Sequence, residues 1–187
     1  MDPQPTIVLT SEELAEGERA WSAVDGDAPR LLVNISSLNE CRRWDDGAYA
    51  TALRGIRRRR PDVRIGIIGG PGDEVRATAL ARSVGAIAMV PPLRIAFATV
   101  ATANVLFTPD TSISHAASAF DKPAVVMMIQ GMTIFEPYET RGRNLYSDGP
   151  TLESLPVDGV ISALDEVLRE ISTELPRVPV LRPAPEI

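Results

Sequence analysis

Short runs of apolar residues alternate with amphipathic segments from about residue 30 to residue 171. Runs that are apolar throughout are typical of strands buried on both faces of a parallel sheet. They predict strands at Arg30–Ile35, Val63–Ile68, Ala86–Val90, Val105–Thr108, Ala124–Ile129 and, from a more polar segment, Asn144–Tyr146.

Segments with a helical period of 3.6 residues lie between these runs. A capping-box spacing of Thr10 and Glu13 opens a short helix that reaches about Trp21 and Val24. The other predicted helices are Asp45–Arg60, Asp73–Val84, Ile95–Ala103, Thr111–Phe120 and Asp158–Ile171. This alternation predicts an α/β fold with a single doubly wound parallel sheet, Rossmann-like, in the order 3-2-1-4-5-6.

The length of 187 residues suits one domain. We expect a lead-in with a short helix at 1–29, the Rossmann-like domain at 30–172 and a proline-rich tail at 173–187. No stretch approaches the roughly 20 apolar residues of a membrane span. The start of the chain has no basic segment of the kind found in signal peptides, so a cytoplasmic location is expected.

Composition narrows the chemistry. One cysteine and one histidine exclude a disulfide framework, a cysteine-based zinc site and a poly-histidine metal centre, so no metal is expected. The net charge of −6 disfavours binding to nucleic acid. Lys122 is the single lysine, so nearly all positive charge is guanidinium, which can bind anions through two parallel hydrogen bonds.

Small and polar residues follow four of the predicted strands. In this topology a ligand binds beyond the carboxyl ends of the strands, in the crevice between the first and fourth. The loops there contain Asn34 and Ser36, then Gly69–Glu74, then Asp110–His115, and then Gln130–Thr133. Such a set of loops is typical of a nucleotide site.

The segment Asp110–His115 contains the strongest signal. A strand ends at Pro109 and a helix begins within two residues, so unpaired amides and the positive end of the helix dipole face the crevice. This arrangement suits a phosphate, with further donors on Thr111, Ser112 and Ser114. Alternatively, Asp110 is simply the helix N-cap and the hydroxyls cap the same turn.

The other charged candidates each allow two interpretations, one functional and one structural. Arg42 and Arg43 follow the first strand and either face a pyrophosphate or form a solvated pair beside Trp44. Asp73 and Glu74 either bind ribose hydroxyls or complement the dipole of the helix that they open.

His115 either contacts a phosphate or sugar or is a buried histidine bonded to a carbonyl. The run Arg57–Arg60 reads as a solvated helix end at the opposite edge of the sheet. Cys41 has no nearby histidine or second cysteine, which disfavours a redox or nucleophilic role.

Several of these motifs resemble glycosyltransferase family 9, the heptosyltransferase-like enzymes. Asp110–Ala119 resembles the D-[TS]-G-x-x-H-x-A-A-A signature of that family. Supporting elements, over roughly residues 30–171, are Arg42–Trp44, Gly69–Glu74, Lys122–Val126, Gly131–Thr133, Pro137–Tyr138 and Arg143–Leu145.

The resemblance implies the C-terminal, donor-binding half of a GT-B fold, in an inverting enzyme that needs no metal or other cofactor. The substrate would be a nucleotide-diphosphate sugar such as ADP-heptose, and the acceptor a lipid or lipopolysaccharide core sugar. By position, the resemblance implies that Thr111, Ser112 and Ser114 face the diphosphate and that Asp110 holds this loop and approaches the sugar. Arg42 or Arg43 would stabilise the departing diphosphate, and Asp73 or Glu74 would bind the ribose. Leu93 would line the base, and Ser36, His115 and Thr133 complete the set of expected binding residues.

Three departures from the family pattern affect the expectation. Ser112 replaces the motif glycine, and an arginine replaces the usual lysine. The first 30 residues cannot form the N-terminal domain that supplies the acceptor site. We therefore expect a fragment of an enzyme, one half of a split enzyme, or a remnant that only binds the donor, with a separate N-terminal GT-B half or a second copy as the partner. One alternative is a non-catalytic nucleotide-binding or protein-interaction module. Another is an unrelated Rossmann enzyme, but this sequence lacks both the G-x-G-x-x-G motif of dinucleotide-binding enzymes and the G-x-S-x-G motif of α/β-hydrolases.

Overall fold

A computed structural model describes residues 6–22, 28–132 and 141–173. Within these residues six strands form one sheet in which every neighbouring pair is parallel. The strands are β1 (Arg30–Asn34), β2 (Arg64–Ile68), β3 (Ile87–Met89), β4 (Val105–Pro109), β5 (Ala124–Ile129) and β6 (Gly142–Ser147). Their order is β3-β2-β1-β4-β5-β6, which confirms the predicted class and strand order.

The predicted helices are present with small shifts at their ends. They are α1 (Ser11–Arg19), α2 (Asp46–Arg59), α3 (Glu74–Val84), α4 (Leu93–Thr102), α5 (Ser112–Ala119) and α6 (Val157–Thr173). Helix α1 ends before the predicted Trp21, because the amides of Trp21 and Ser22 bond three residues back and form a turn. Within the described ranges, no helix has the length and apolarity needed to cross a bilayer.

Two apolar layers enclose the sheet. Residues of α2, α3 and α6 pack on one face, and residues of α1, α4 and α5 pack on the other. Side chains alternate between the faces along each strand, so Leu31 and Val33 of β1 join the first layer and Leu32 joins the second. Burial of both faces explains why the strands are apolar throughout.

Helix α1 belongs to the second layer because it packs directly on α4. A Cβ atom at Gly17 would lie 2.7 Å from the backbone of Ala98, so glycine permits this close approach. The predicted capping box of Thr10 and Glu13 is present. Glu13 also accepts two hydrogen bonds of 2.7 Å from Arg94, near the start of α4.

Candidate functional site

The carboxyl ends of β1 and β4 lie side by side where the winding of the sheet reverses. We call the sheet edge formed by the loops after β1 to β5 the carboxyl rim. Parallel pairing brings all these loops to the same edge, so the predicted polar segments lie together there.

Asn34 connects the two central strands at this rim. It ends β1 and is only 1% exposed. Its Nδ2 donates to Thr108 Oγ1 at 3.0 Å and to Thr111 Oγ1 at 3.2 Å. Its Oδ1 accepts from the Ser36 amide at 3.1 Å. The sequence signal for Asn34 is a polar residue that ends an otherwise apolar strand. The sequence placed Asn34 beside the predicted ligand crevice but gave it no role.

A buried aromatic cluster contacts the backbone of Asn34. Trp44, Tyr49 and Phe107 are buried and meet at ring separations of 5.0 to 6.0 Å. The Tyr49 hydroxyl donates to the Asn34 carbonyl at 3.3 Å. Burial raises the pKa of the Tyr49 phenol far above its usual range, so this hydroxyl remains a donor. The end of β1 therefore has a rigid base.

Helix α5 begins at the rim, with Thr111 as its N-cap. Thr111 Oγ1 accepts from the Ile113 amide at 3.3 Å. The alternative in which Asp110 caps the helix is therefore wrong, because Thr111 lies one residue closer to the first turn. Ser112 is exposed. Ser114 is fully buried and its hydroxyl donates to the Thr111 carbonyl at 2.7 Å, so it faces the helix interior.

Arg42 reaches across from the loop after β1 to the end of β4. Its Nη1 donates to the Asp110 carbonyl at 2.9 Å and lies 3.2 Å from Asp110 Oδ2. Asp110 is 4% exposed, whereas the Arg42 side chain is 27% exposed. Arg42 Nε and Nη2 make no hydrogen bond to any residue that the structure describes. Two donor nitrogens of Arg42 therefore remain next to the N-terminus of α5.

Arg43 and Asp73 form a second ion pair at the rim. Arg43 Nη1 lies 3.2 Å from Asp73 Oδ1, and Asp73 Oδ2 accepts from the Gly70 amide at 3.1 Å. Arg43 Nε is buried, and a Glu40 oxygen lies 3.2 Å away outside hydrogen-bond geometry. Both oxygens of Asp73 are thus occupied. Glu74 is exposed and has no partner among the described residues, so it is the accessible carboxylate of the two ribose candidates.

Arg76 holds the loop that carries Arg42 and Arg43. It donates to the Ile35 carbonyl at 2.8 Å and to the Trp44 carbonyl at 3.0 Å, at the two ends of this loop. Its Nε donates to Asp46 at 2.6 Å. Sequence reasoning missed this residue, because an arginine on a helix carries no sequence signal for contacts 32 and 41 positions away.

The remaining candidates lie around this centre. Ser36 is half-buried beside Gly70, where a Cβ atom would come within 2.6 Å of Ser36 Oγ, so glycine lets the two loops touch. The His115 side chain is half-buried and makes no hydrogen bond within the described part of the chain, which does not fit the alternative of a buried histidine bonded to a carbonyl. Leu93 is 58% exposed after β3. Thr133, like Pro137 and Tyr138 of the resemblance, lies outside the described residues.

The arginine run at the end of α2 lies at the opposite edge and is not merely solvated. Arg57 donates to the carbonyls of Val84 and Gly85 at the end of α3. Arg60 Nε donates to Asp165 at 3.0 Å. Cys41 is half-buried and donates to Asn39 Oδ1 at 3.0 Å. In the described ranges, no three His, Cys, Asp or Glu side chains gather as metal ligands.

Solved structures resemble this chain in fold. A glycosyl transferase family 9 structure from Veillonella parvula matches with a TM-score of 0.77, 18% identity, and coverage of 88% of this chain and 54% of that chain. The ADP-heptose LPS heptosyltransferase II of E. coli matches with a TM-score of 0.73 and 16% identity, covering 91% of this chain and 56% of that one.

A third match is the E. coli heptosyltransferase WaaC with ADP-2-deoxy-2-fluoro heptose, with a TM-score of 0.61, 21% identity, and coverage of 80% and 47%. No family model matches the sequence, and no curated protein matches it. The chain spans about half the length of the structures it resembles. The resemblance seen in the motifs is thus confirmed for the fold, which is glycosyltransferase-like.

Proposed function

We propose that this chain binds a nucleotide-diphosphate sugar as the donor half of an inverting, metal-independent glycosyltransferase of the heptosyltransferase type. One observation carries the proposal: Arg42 keeps two donors beside the N-terminus of α5, at the point where β1 and β4 meet. A guanidinium and a helix N-terminus together favour a diphosphate.

The proposed roles follow from the positions of the side chains. Thr111, exposed Ser112 and the first amides of α5 would contact the diphosphate, together with Arg42. Glu74 would take the ribose and Leu93 the base. Asp110 would hold Arg42 in place rather than contact the sugar, because its carboxylate is 6% exposed and paired.

In the proposed reaction an acceptor hydroxyl attacks the anomeric carbon and the bond to the diphosphate oxygen breaks, with inversion. Arg42 and the helix amides would stabilise the charge that builds on the departing diphosphate. A base on a partner would remove the hydroxyl proton. The acceptor is proposed to be a lipid or lipopolysaccharide core sugar, and the donor base adenine.

Exposed apolar side chains support a protein partner at the same rim. Six large apolar residues in the described ranges have more than two-fifths of their surface exposed, and five of the six lie after a strand or near its carboxyl end. These five are Leu38, Val75, Leu93, Met132 and Tyr146. Contiguous exposed apolar patches mark interaction surfaces, and we propose that these five side chains contribute to one. The partner would be a separate N-terminal GT-B half or a second copy of this chain.

A second candidate function is a non-catalytic nucleotide-binding or interaction module. The pairing of Arg42 with Asp110 and of Arg43 with Asp73 favours it, because the carboxylates neutralise the charge that a leaving diphosphate needs. Sugar transfer from a donor to an acceptor in the presence of the partner would decide for the enzyme. Binding of nucleotide without transfer under those conditions would decide for the module.

Calorimetric titration with ADP, GDP and UDP tests the binding proposal. We expect ADP to bind, with an affinity that added divalent metal does not change. Absence of binding by all three at millimolar concentration would contradict the proposal, and a strict metal requirement would point to another class of glycosyltransferase.

A further inference from the structure

We infer that Asn34 fixes the direction of the Thr111 hydroxyl hydrogen and so makes the start of α5 selective for anions, an inference that rests on the proposed function. The orientation of the Asn34 carboxamide is unambiguous. The Ser36 amide can only donate, so the atom that it meets at 3.1 Å must be Oδ1. Nδ2 therefore faces the hydroxyls of Thr108 at 3.0 Å and Thr111 at 3.2 Å, and the Ser36 carbonyl is a third, longer contact at 3.4 Å.

The hydrogen bonds that the Thr111 hydroxyl already accepts restrict the direction of its hydrogen. A hydroxyl oxygen can accept two hydrogen bonds and donate one. Thr111 Oγ1 already accepts from Asn34 Nδ2 at 3.2 Å and from the Ile113 amide at 3.3 Å. Both lone pairs are used, so the one remaining capacity is donation.

The Thr108 hydroxyl also accepts a hydrogen bond from Asn34, but its own hydrogen has an acceptor inside the protein. Thr108 Oγ1 accepts from the same Nδ2 and donates to the Pro109 carbonyl at 2.8 Å, and the residue is fully buried. The Thr111 hydrogen has no acceptor among the described residues, and the residue is half-exposed at the rim. The Asn34 carboxamide thus donates to the buried Thr108 hydroxyl and also to the Thr111 hydroxyl, whose hydrogen is left to point toward the rim.

The consequence is a selection by ligand polarity. An ionised phosphate oxygen can accept the outward hydrogen, whereas an amine or another donor finds no lone pair on Thr111. Asn34 does not touch the ligand, because it is 1% exposed. It is a positioning residue that acts through Thr111.

Asn34→Asp reverses this arrangement. A carboxylate can only accept, so it would draw the Thr111 hydrogen inward. We expect binding of inorganic pyrophosphate and ADP to weaken about tenfold, the size of one charge-assisted hydrogen bond. Asn34→Ala, which removes the donor without adding a charge, should weaken binding about threefold.

A double-mutant cycle separates this effect from simple repulsion by the new charge. In a Thr111→Val background, which has no hydroxyl, the Asn34 substitutions should weaken pyrophosphate binding less than twofold. In a Thr111→Ser background, which keeps the hydroxyl, the full effect should remain. Circular dichroism checks that each variant is folded, and if Asn34→Asp is not, the cycle with Asn34→Ala provides the test.

The outcomes separate the two proposals. If the unmodified protein binds neither pyrophosphate nor ADP, the proposed function fails. If it binds them and both Asn34 variants bind equally well, the inference is overturned. It is also overturned if the Asn34 substitutions cost the same factor with and without the Thr111 hydroxyl.

Discussion

Two groups of arginines lie at opposite edges of one sheet and use their guanidinium groups differently. At the edge where the helices end, Arg57 donates to two carbonyls at the end of α3 and Arg60 pairs with Asp165. At the carboxyl rim, Arg42 spends one nitrogen on Asp110 and keeps two without protein partners in the described ranges.

The difference follows from which ends of the helices each edge presents. Helix C-termini expose carbonyl oxygens, which accept from any nearby guanidinium and use up its donors. Helix N-termini expose amide hydrogens, which offer an arginine nothing to bind. At the rim no helix end in the described ranges offers carbonyls to Arg42, which bonds there only to the carbonyl and carboxylate of Asp110 through one nitrogen. Arg57 instead uses two nitrogens on the carbonyls that end α3, so Arg42 keeps donors for a ligand and Arg57 is structural.

Replacement of Arg42 by alanine is the strongest test of this contrast. We expect ADP affinity to fall about 10- to 100-fold, because charge-assisted hydrogen bonds contribute about 1.5 to 3 kcal/mol. Arg57→Ala is the matched control: binding should stay unchanged, while the free energy of unfolding falls by about 1 to 2 kcal/mol. Calorimetry and urea unfolding measure the two effects, and equal loss of binding in both variants would remove the contrast.

Asp110→Ala tests whether Arg42 needs its anchor. We expect ADP binding to weaken about threefold, because the guanidinium keeps its bond to the Asp110 carbonyl but loses the carboxylate. Stability should fall by about 1 kcal/mol, a modest cost because Arg42 is partly exposed. Stronger ADP binding in this variant would show instead that the carboxylate competes with the ligand.

The two threonine N-caps provide a smaller test. Thr111 and Thr10 each accept an amide in the first turn of a helix, so either change to alanine should cost about 1 kcal/mol of stability. Thr111→Ala should also weaken pyrophosphate binding, whereas Thr10→Ala should not. Equal binding by both variants would mean that Thr111 is a cap and nothing more.

The ion pair of Arg94 and Glu13 should give the smallest effect. Arg94 lies near the start of α4, but its Nε and Nη2 donate to Glu13 and to the Val8 carbonyl. The hydrogen bonds from Arg94 lower the pKa of Glu13 from 4.5 to about 2. A carboxyl with a lowered pKa stabilises the fold above pH 4.5, and the gain is lost as the pH falls through about 2.

In thermal unfolding, wild type should be more stable than Glu13→Gln at neutral pH. The two should be equally stable once the pH falls below about 2. The difference should be small because the pair is exposed to solvent. ADP binding by Glu13→Gln should be unchanged. A stability difference that does not depend on pH would contradict the assignment to this carboxyl.

The elements of the fold were predictable because local patterns define them. Strands buried on both faces must be apolar along their length, so Ala124–Ile129 was located to the residue. The capping box of α1 was equally local. The cap of α5 was less clear, because Asp110 and Thr111 are both good N-caps and only the path of the chain selects one.

The site was only partly predictable for a different reason. The sequence alone determined that polar loops follow buried parallel strands and therefore meet at one edge. It could not show that Arg42 pairs with Asp110, Arg43 with Asp73, or Asn34 with Thr108 and Thr111, since these partners lie 30 to 77 positions apart. Hydrogen bonds depend on distance and angle in space, so only the packed sheet decided which donors were consumed and which still face the rim.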